Sequence, residues 1–229
     1  MGVEGTMPKT ELCRLVVDGP VAHITLDRID VHNALNEQLI TELAEVLEWT
    51  AGRSVATSGE LRGPDGSQNL RILVINSEGR HFCAGADINM MRDGGSSSLE
   101  ENRADAERLD RLFHSLWSHP CFTIACVQGV ALGGGAGLVA CSDHVIAGPS
   151  TEIALSEAKL GITAAVIGPY VHRRLGSAQF RRVAMRASRI GSEEALRIGF
   201  ADELVESDGS IAAAAEAVSS DVLTSGPLA

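Results

Sequence analysis

The stretch "QGVALGGGAGLVACSDHVIAGPSTEIALSEAKLG", residues 128–161, joins a glycine cluster to a glutamate, Glu157, that lies twenty residues past Gly137. The glycines follow an apolar run and open an apolar helix. That arrangement leaves free backbone N–H groups and a positive dipole end at Gly133–Gly135. A second small-residue turn, "HFCAGADI", follows another apolar run, so N–H groups near Gly85 and Ala86 can face a ligand without side-chain obstruction. Two such donors converging on one point would stabilise a developing oxyanion. A carboxylate beside them would add proton transfer. Taken singly, each feature has a plainer reading. Gly-rich strand-to-helix turns often serve close packing, and Glu157 after Ser156 suits the first turn of a helix.

Other chemistries fit less well. GxxxxGK[ST] is absent and the glycines do not match GxGxxG, which argues against a phosphate loop. The five cysteines (Cys13, Cys83, Cys121, Cys126, Cys141) include no CxxC pair and sit in apolar contexts. They read as reduced core residues of a cytoplasmic protein. Zinc on His114, His119, Cys121 and Cys126 fails on spacing, because in a strand Cys121 and Cys126 point to opposite faces. No metal is expected. A formal net charge of −11 opposes nucleic-acid binding. The N-terminus lacks the pattern of a signal peptide. Residues 121–141, with five glycines and no basic flank, make a poor membrane span.

The elements that must position these groups alternate. "LCRLVV" and "VAHITLD" flank Asp18-Gly19-Pro20 as a hairpin. A helix follows Asn36 as N-cap and buries Leu39, Ile40, Leu43, Val46 and Leu47. Residues 51–69 are expected to be a long surface loop, and "LRILVIN" a buried strand. A helix over 99–117 buries Leu109, Leu112, Phe113, Leu116 and Trp117. "FTIACVQ", "DHVIAG" and "EIAL" read as further strands. Helices are expected over 163–175, 177–186, from Ser192 in "SEEALRIG", and over 209–224, with a short strand at "ADELV". Strands alternating with helices give an α/β class with partly parallel pairing.

From "VAHITLDRIDVHNAL" to "SEEALRIGFADELV" the chain resembles the enoyl-CoA hydratase/isomerase (crotonase) family. The pair "HFCAGADI" and "GVALGGGAGLVACSDHVIA" at this separation carries the resemblance. It implies a spiral of ββα units over residues 1–190, then a helical C-terminal region, 191–229, here shortened relative to the family. It implies homotrimers or hexamers, an acyl-CoA thioester substrate, and no cofactor beyond the coenzyme A of the substrate. By the family's pattern the oxyanion donors fall on Ala86 and Gly134, and Ala86, Asp87, Ile88 and Asn89 line the acyl-CoA site. Typical hydratases carry two glutamates; the first position is Gly137 here and the second is Glu157. Gly137 is thus expected to border substrate.

"LVACSD", "ALSEAKLGI" and "AAVIGPYVHRRLG" resemble bacterial methylglutaconyl-CoA hydratases, although Ala164 and Ile29 stand where relatives carry proline. The implied activity is hydration of a 2-enoyl-CoA, with 3-methylglutaconyl-CoA a candidate substrate. The alternatives are a Δ3,Δ2-enoyl-CoA isomerase, a dehydratase of a carrier-protein thioester, and a non-catalytic acyl-CoA-binding subunit. Asp143 is expected to hydrogen-bond structurally. The arginines Arg173, Arg174, Arg181, Arg182 and Arg186 read as a solvated helix face rather than a site for CoA phosphates or a substrate carboxylate.

Overall fold

The computed structural model describes residues 6–87 and 98–227; Ile88 and Asn89 lie outside them. Strands β1 (Cys13–Asp18) and β2 (Val21–Leu26) form the expected antiparallel hairpin. Along β2 the alternation is clean, with Ala22, Ile24 and Leu26 buried. From β2 onward the pairing is parallel, through β3 (Ile72–Ser77), β4 (Phe122–Val127), β6 (His144–Ala147) and β9 (Glu203–Leu204). The sheet order is β1-β2-β3-β4-β6-β9. A second sheet, β5-β7-β8, holds β5 (Val130–Leu132), β7 (Glu152–Ala154) and β8 (Ile190–Gly191).

The central strands are buried on both faces, as parallel strands between helical layers must be. Leu73, Ile75, Ala125 and Val127 face the main core. Ile72, Val74, Ile124 and Cys126 face the other side. Cys121 joins the main core and Cys126 the opposite cluster, which separates the two thiols as strand alternation requires. Helix α1 (Glu37–Gly52) starts where the Asn36 side chain accepts from the Leu39 N–H at 2.9 Å, and it buries the expected apolar face. Helix α3 (Leu99–Trp117) opens with a capping box between Ser98 and Glu101. It buries Leu112, Phe113 and Leu116, whereas Trp117 stays 38% exposed and receives the Arg173 guanidinium over its ring.

Two expectations need correction. Residues 51–69 are not a featureless loop: α2 (Val55–Ser58) is capped by the Ser54 side chain, and Arg53 reaches Asp65 and Ser67. Short-range polar capping built this element, so hydrophobic periodicity could not reveal it. The helix expected from residue 163 begins at Gly168 as α5 (Gly168–Arg186), with proline in its first turn and a kink at Gly176.

Helix α4 (Gly134–Cys141) follows β5; α6 (Ser192–Ile198) follows β8 and opens at Ser192 as expected, with Gly191 as its N-cap. Helix α7 (Ile211–Thr224) covers the outer sheet face through Ile211 and Ala215. Asp143 accepts from the Thr123 N–H and hydroxyl, both at 2.8 Å, which is the structural role expected of it.

Candidate active site

The site grows from one strand register. β5 pairs in parallel with β7, Leu132 opposite Ala154, so the residues that follow each strand leave the sheet side by side. The Gly133 N–H donates to the Ala154 carbonyl at 2.9 Å and holds the two exits together. Glu157 begins a 3₁₀ turn, Glu157–Leu160, just past that point. A Cβ on Gly133 would fall 3.4 Å from Glu157 Oε1, and Gly133 has φ of +47°, so glycine there serves both the turn and the carboxylate's seat.

The other wall is a strand-like run alongside β5. The Cys83 N–H donates to the Val130 carbonyl at 3.0 Å and the Leu132 N–H to the Cys83 carbonyl at 3.0 Å. Two residues on, Leu35 takes over: its N–H donates to the Gly85 carbonyl at 2.7 Å and its carbonyl accepts from the Asp87 N–H at 2.9 Å. In that parallel bridge the N–H of Ala86, lying between, points away from Leu35. A Cβ on Gly85 would meet the Leu132 carbonyl oxygen at 2.7 Å and the Gly134 nitrogen at 3.6 Å, so the two turns touch backbone to backbone. Neither the Ala86 N–H nor the Gly134 N–H has an acceptor among the described residues.

These groups border a cavity of about 510 Å³, within the range of small-molecule sites. Its other walls are largely apolar, including Leu35, Ile40, Leu109, Leu160, Ile162 and Ile167. Glu157 Oε2 is shielded from solvent and has no hydrogen-bond partner among the described residues. Burial pushes the Glu157 carboxyl above its ordinary value, partly offset by its own N–H. A shielded carboxylate oxygen without a partner is costly for stability, and burial favours the protonated form of the group.

The structure brings Ala86, Gly134 and Glu157 together and sets two other residues aside. The Asp87 carboxylate is buried and pairs with Arg28 at 2.6 Å, so it braces the turn rather than lining the cavity. Gly137 does not border the cavity either. A Cβ there would lie 2.6 Å from Ile167 Cγ2 and 2.9 Å from Phe113 Cε1, so those side chains already occupy the space. Nothing in the local pattern around Gly137 shows that Phe113 and Ile167 converge on it. Of the arginines, Arg174 is committed to the Ser142, Gly199 and Phe200 carbonyls and to Asp202. Arg182 pairs with Glu194. Lys159, a cavity residue, escaped sequence reasoning although it lies two places after Glu157.

Among the described residues no group of three His, Cys, Asp or Glu side chains could hold a metal ion, and no helix is long and apolar enough to cross a membrane. His119 is held by Thr50 Oγ1 at 3.0 Å and by the Cys121 N–H, with its pKa pulled down to about 4 by burial. It has partners and a place in the fold, well apart from the cavity lining.

Fold and cavity together describe an α/β protein with a largely apolar cavity that holds a half-buried carboxylate. Residues 17–220 match the enoyl-CoA hydratase/isomerase family, and the chain belongs to it, with the crotonase fold. It is 31% identical over 193 residues to a probable enoyl-CoA hydratase of Rhodobacter capsulatus, covering 84% of this chain and 68% of that one. An enoyl-CoA hydratase structure from Shewanella pealeana is 35% identical with a TM-score of 0.85, over 96% of this chain and 77% of that one. A putative enoyl-CoA hydratase/isomerase from Legionella pneumophila gives 32% and 0.84, over 94% and 78%.

Proposed function

We propose that the protein adds water reversibly across the double bond of a 2-enoyl-CoA, with Glu157 as the single acid/base. The observation that carries this reading is the shielded Glu157 Oε2, which has no hydrogen-bond partner among the described residues, in one cavity with two open backbone donors. The thioester oxygen would accept from the Ala86 and Gly134 N–H groups. As a hydroxyl adds to C3, charge moves onto that oxygen, where fixed dipoles in a largely apolar pocket stabilise it. Glu157 takes the proton of the attacking water and returns one to C2. Addition from one face lets one carboxyl serve both steps. These steps use only the chain's own groups and the thioester, so no cofactor is assigned. Coenzyme A enters as part of the substrate, and 3-methylglutaconyl-CoA remains the candidate acyl thioester. Homotrimers or hexamers are proposed on the family resemblance alone. The free, buried thiols support a reducing, cytoplasmic setting.

The second reading is Δ3,Δ2-isomerisation. It is favoured by the same single carboxylate, since a shuttle between C2 and C4 needs no water and suits largely apolar walls. Incubation with crotonyl-CoA, 3-methylglutaconyl-CoA and a 3-enoyl-CoA, followed by mass, tests both. A gain of one water supports hydration. A shifted double bond without mass change supports isomerisation. Tight binding without turnover would overturn both.

A further inference from the structure

Lys9 and Lys159 are the only lysines in the sequence; every other basic residue is arginine. Lys159 shares the 3₁₀ turn of Glu157, and both line the cavity. They are its only charged residues among those described. Around them stand Leu160, Ile162, Ala164, Ala165, Val166 and Ile167. The Lys159 side chain forms no ion pair or hydrogen bond with any described residue; its backbone N–H alone is engaged, with the Ser156 carbonyl at 3.1 Å.

Lys159 is solvent-exposed, as are Leu160 and Ile162; a largely apolar cavity bordered by one unpaired ammonium is suited to an apolar ligand that carries one negative charge. The charge must be local, because a protein of net −11 repels anions at long range. Glu157 lies in the same cavity and would repel an anion too, so an acidic substrate needs a cation placed against it. Lysine fits the task, as a point charge on a flexible stem that can follow a chain end. Phe113 and Ile167 fill the space beside Gly137, and Leu35 lies against Gly134.

We propose that Lys159 recognises a carboxylate at the far end of the acyl chain, which makes the preferred ligand a thioester with an anionic terminus. The proposal rests on the acyl-thioester reading above. A carboxylate is favoured over the phosphates of coenzyme A because the pantetheine arm holds those phosphates far from the thioester, whereas Lys159 shares the cavity of Glu157 and Gly134.

The test is calorimetric binding of glutaryl-CoA and butyryl-CoA, saturated thioesters that differ by a terminal carboxylate and cannot be hydrated. The native protein should bind glutaryl-CoA more tightly. In Lys159→Met that preference should shrink about tenfold or more, as expected for loss of a charge-assisted contact, while Lys159→Arg should keep most of it. Equal weakening of both ligands would assign Lys159 to the coenzyme A phosphates and overturn the proposal. An unchanged preference, or none in the native protein, would also overturn it. If neither thioester binds, the acyl-CoA reading itself has failed, and the proposal falls with it.

Discussion

Glu42 and Glu157 are both carboxylates withdrawn from water, and their surroundings are opposite. Glu42 Oε2 accepts from three consecutive backbone N–H groups, of Glu11 at 3.1 Å, Leu12 at 2.8 Å and Cys13 at 3.3 Å, while Oε1 accepts from Gln38. It fastens the segment leading into β1 onto helix α1. Glu157 faces apolar side chains, and its Oε2 has no partner among the described residues. A carboxylate that ends a network stabilises the fold, whereas one left exposed to a cavity is available to a ligand. The same residue type thus serves two purposes, distinguished by donors alone.

That contrast is most sharply tested at Glu157. Glu157→Gln keeps the shape and removes the proton carrier, so turnover should fall by about 10²–10⁴-fold with acyl-CoA binding retained. The pH behaviour has a definite sign. The folded carboxyl titrates above its ordinary 4.5. Whatever it contributes to stability is therefore complete below the unfolded value and lost as pH rises through the folded one. At neutral pH the Gln variant should unfold at the same temperature as the native protein or higher. The acid limb of kcat/KM, where Glu157 must be ionised, should disappear in the variant. A variant with native turnover, or one that is strongly destabilised, would make Glu157 a second Glu42.

Next comes the backbone. Gly134 is the first residue of α4, where proline is compatible with the helix and removes only an N–H that has no acceptor. Its Cβ would stand 2.8 Å from Leu35 Cδ1, a flexible contact that Leu35→Ala relieves. Gly134→Pro in the Leu35→Ala background should lose about 10²–10³ in kcat relative to Leu35→Ala alone, the usual effect of removing one oxyanion donor. Unchanged turnover in a folded variant would sink that assignment.

The smallest effect is expected at Glu42. Glu42→Ala strands the N–H groups of Glu11, Leu12 and Cys13 and should cost about 1–3 kcal/mol of stability, read by chemical denaturation. Its kcat should stay close to native wherever the protein is folded. A collapse of kcat without loss of stability would erase the distinction between the two carboxylates.

Much of this arrangement was legible beforehand, for physical reasons that differ by element. Strand β2 and helix α1 announce themselves because one-sided burial imposes a period on their side chains, and β3 and β4 because burial on both faces makes them continuous apolar runs. Ala86 and Gly134 could be singled out because a backbone donor open to a ligand demands small residues around it. What stayed hidden depends on distant side chains meeting. Phe113 on α3 and Ile167 before α5 close over Gly137, and nothing in either segment's periodicity records that they converge. Asp87 likewise resembles a site residue until Arg28, which precedes it by 59 positions, takes its carboxylate. Lys159 was hidden for another reason: a single lysine in a turn carries no pattern at all.

Arg71, just before β3, bonds through its guanidinium to the carbonyls of Val222, Leu223 and Ser225 at the end of α7, across a separation of some 152 residues. Contacts so far apart along a chain are slow to form, because the loop entropy must be overcome before they give any return. Parallel pairing such as β2 with β3, Val21 opposite Ile72, already imposes that delay on the sheet. The clasp between Arg71 and α7 is therefore expected to form late, once the outer sheet face exists to receive the helix. Contacts of that kind act mainly on the rate of unfolding. Arg71 therefore governs how long the native state persists more than how fast it is reached.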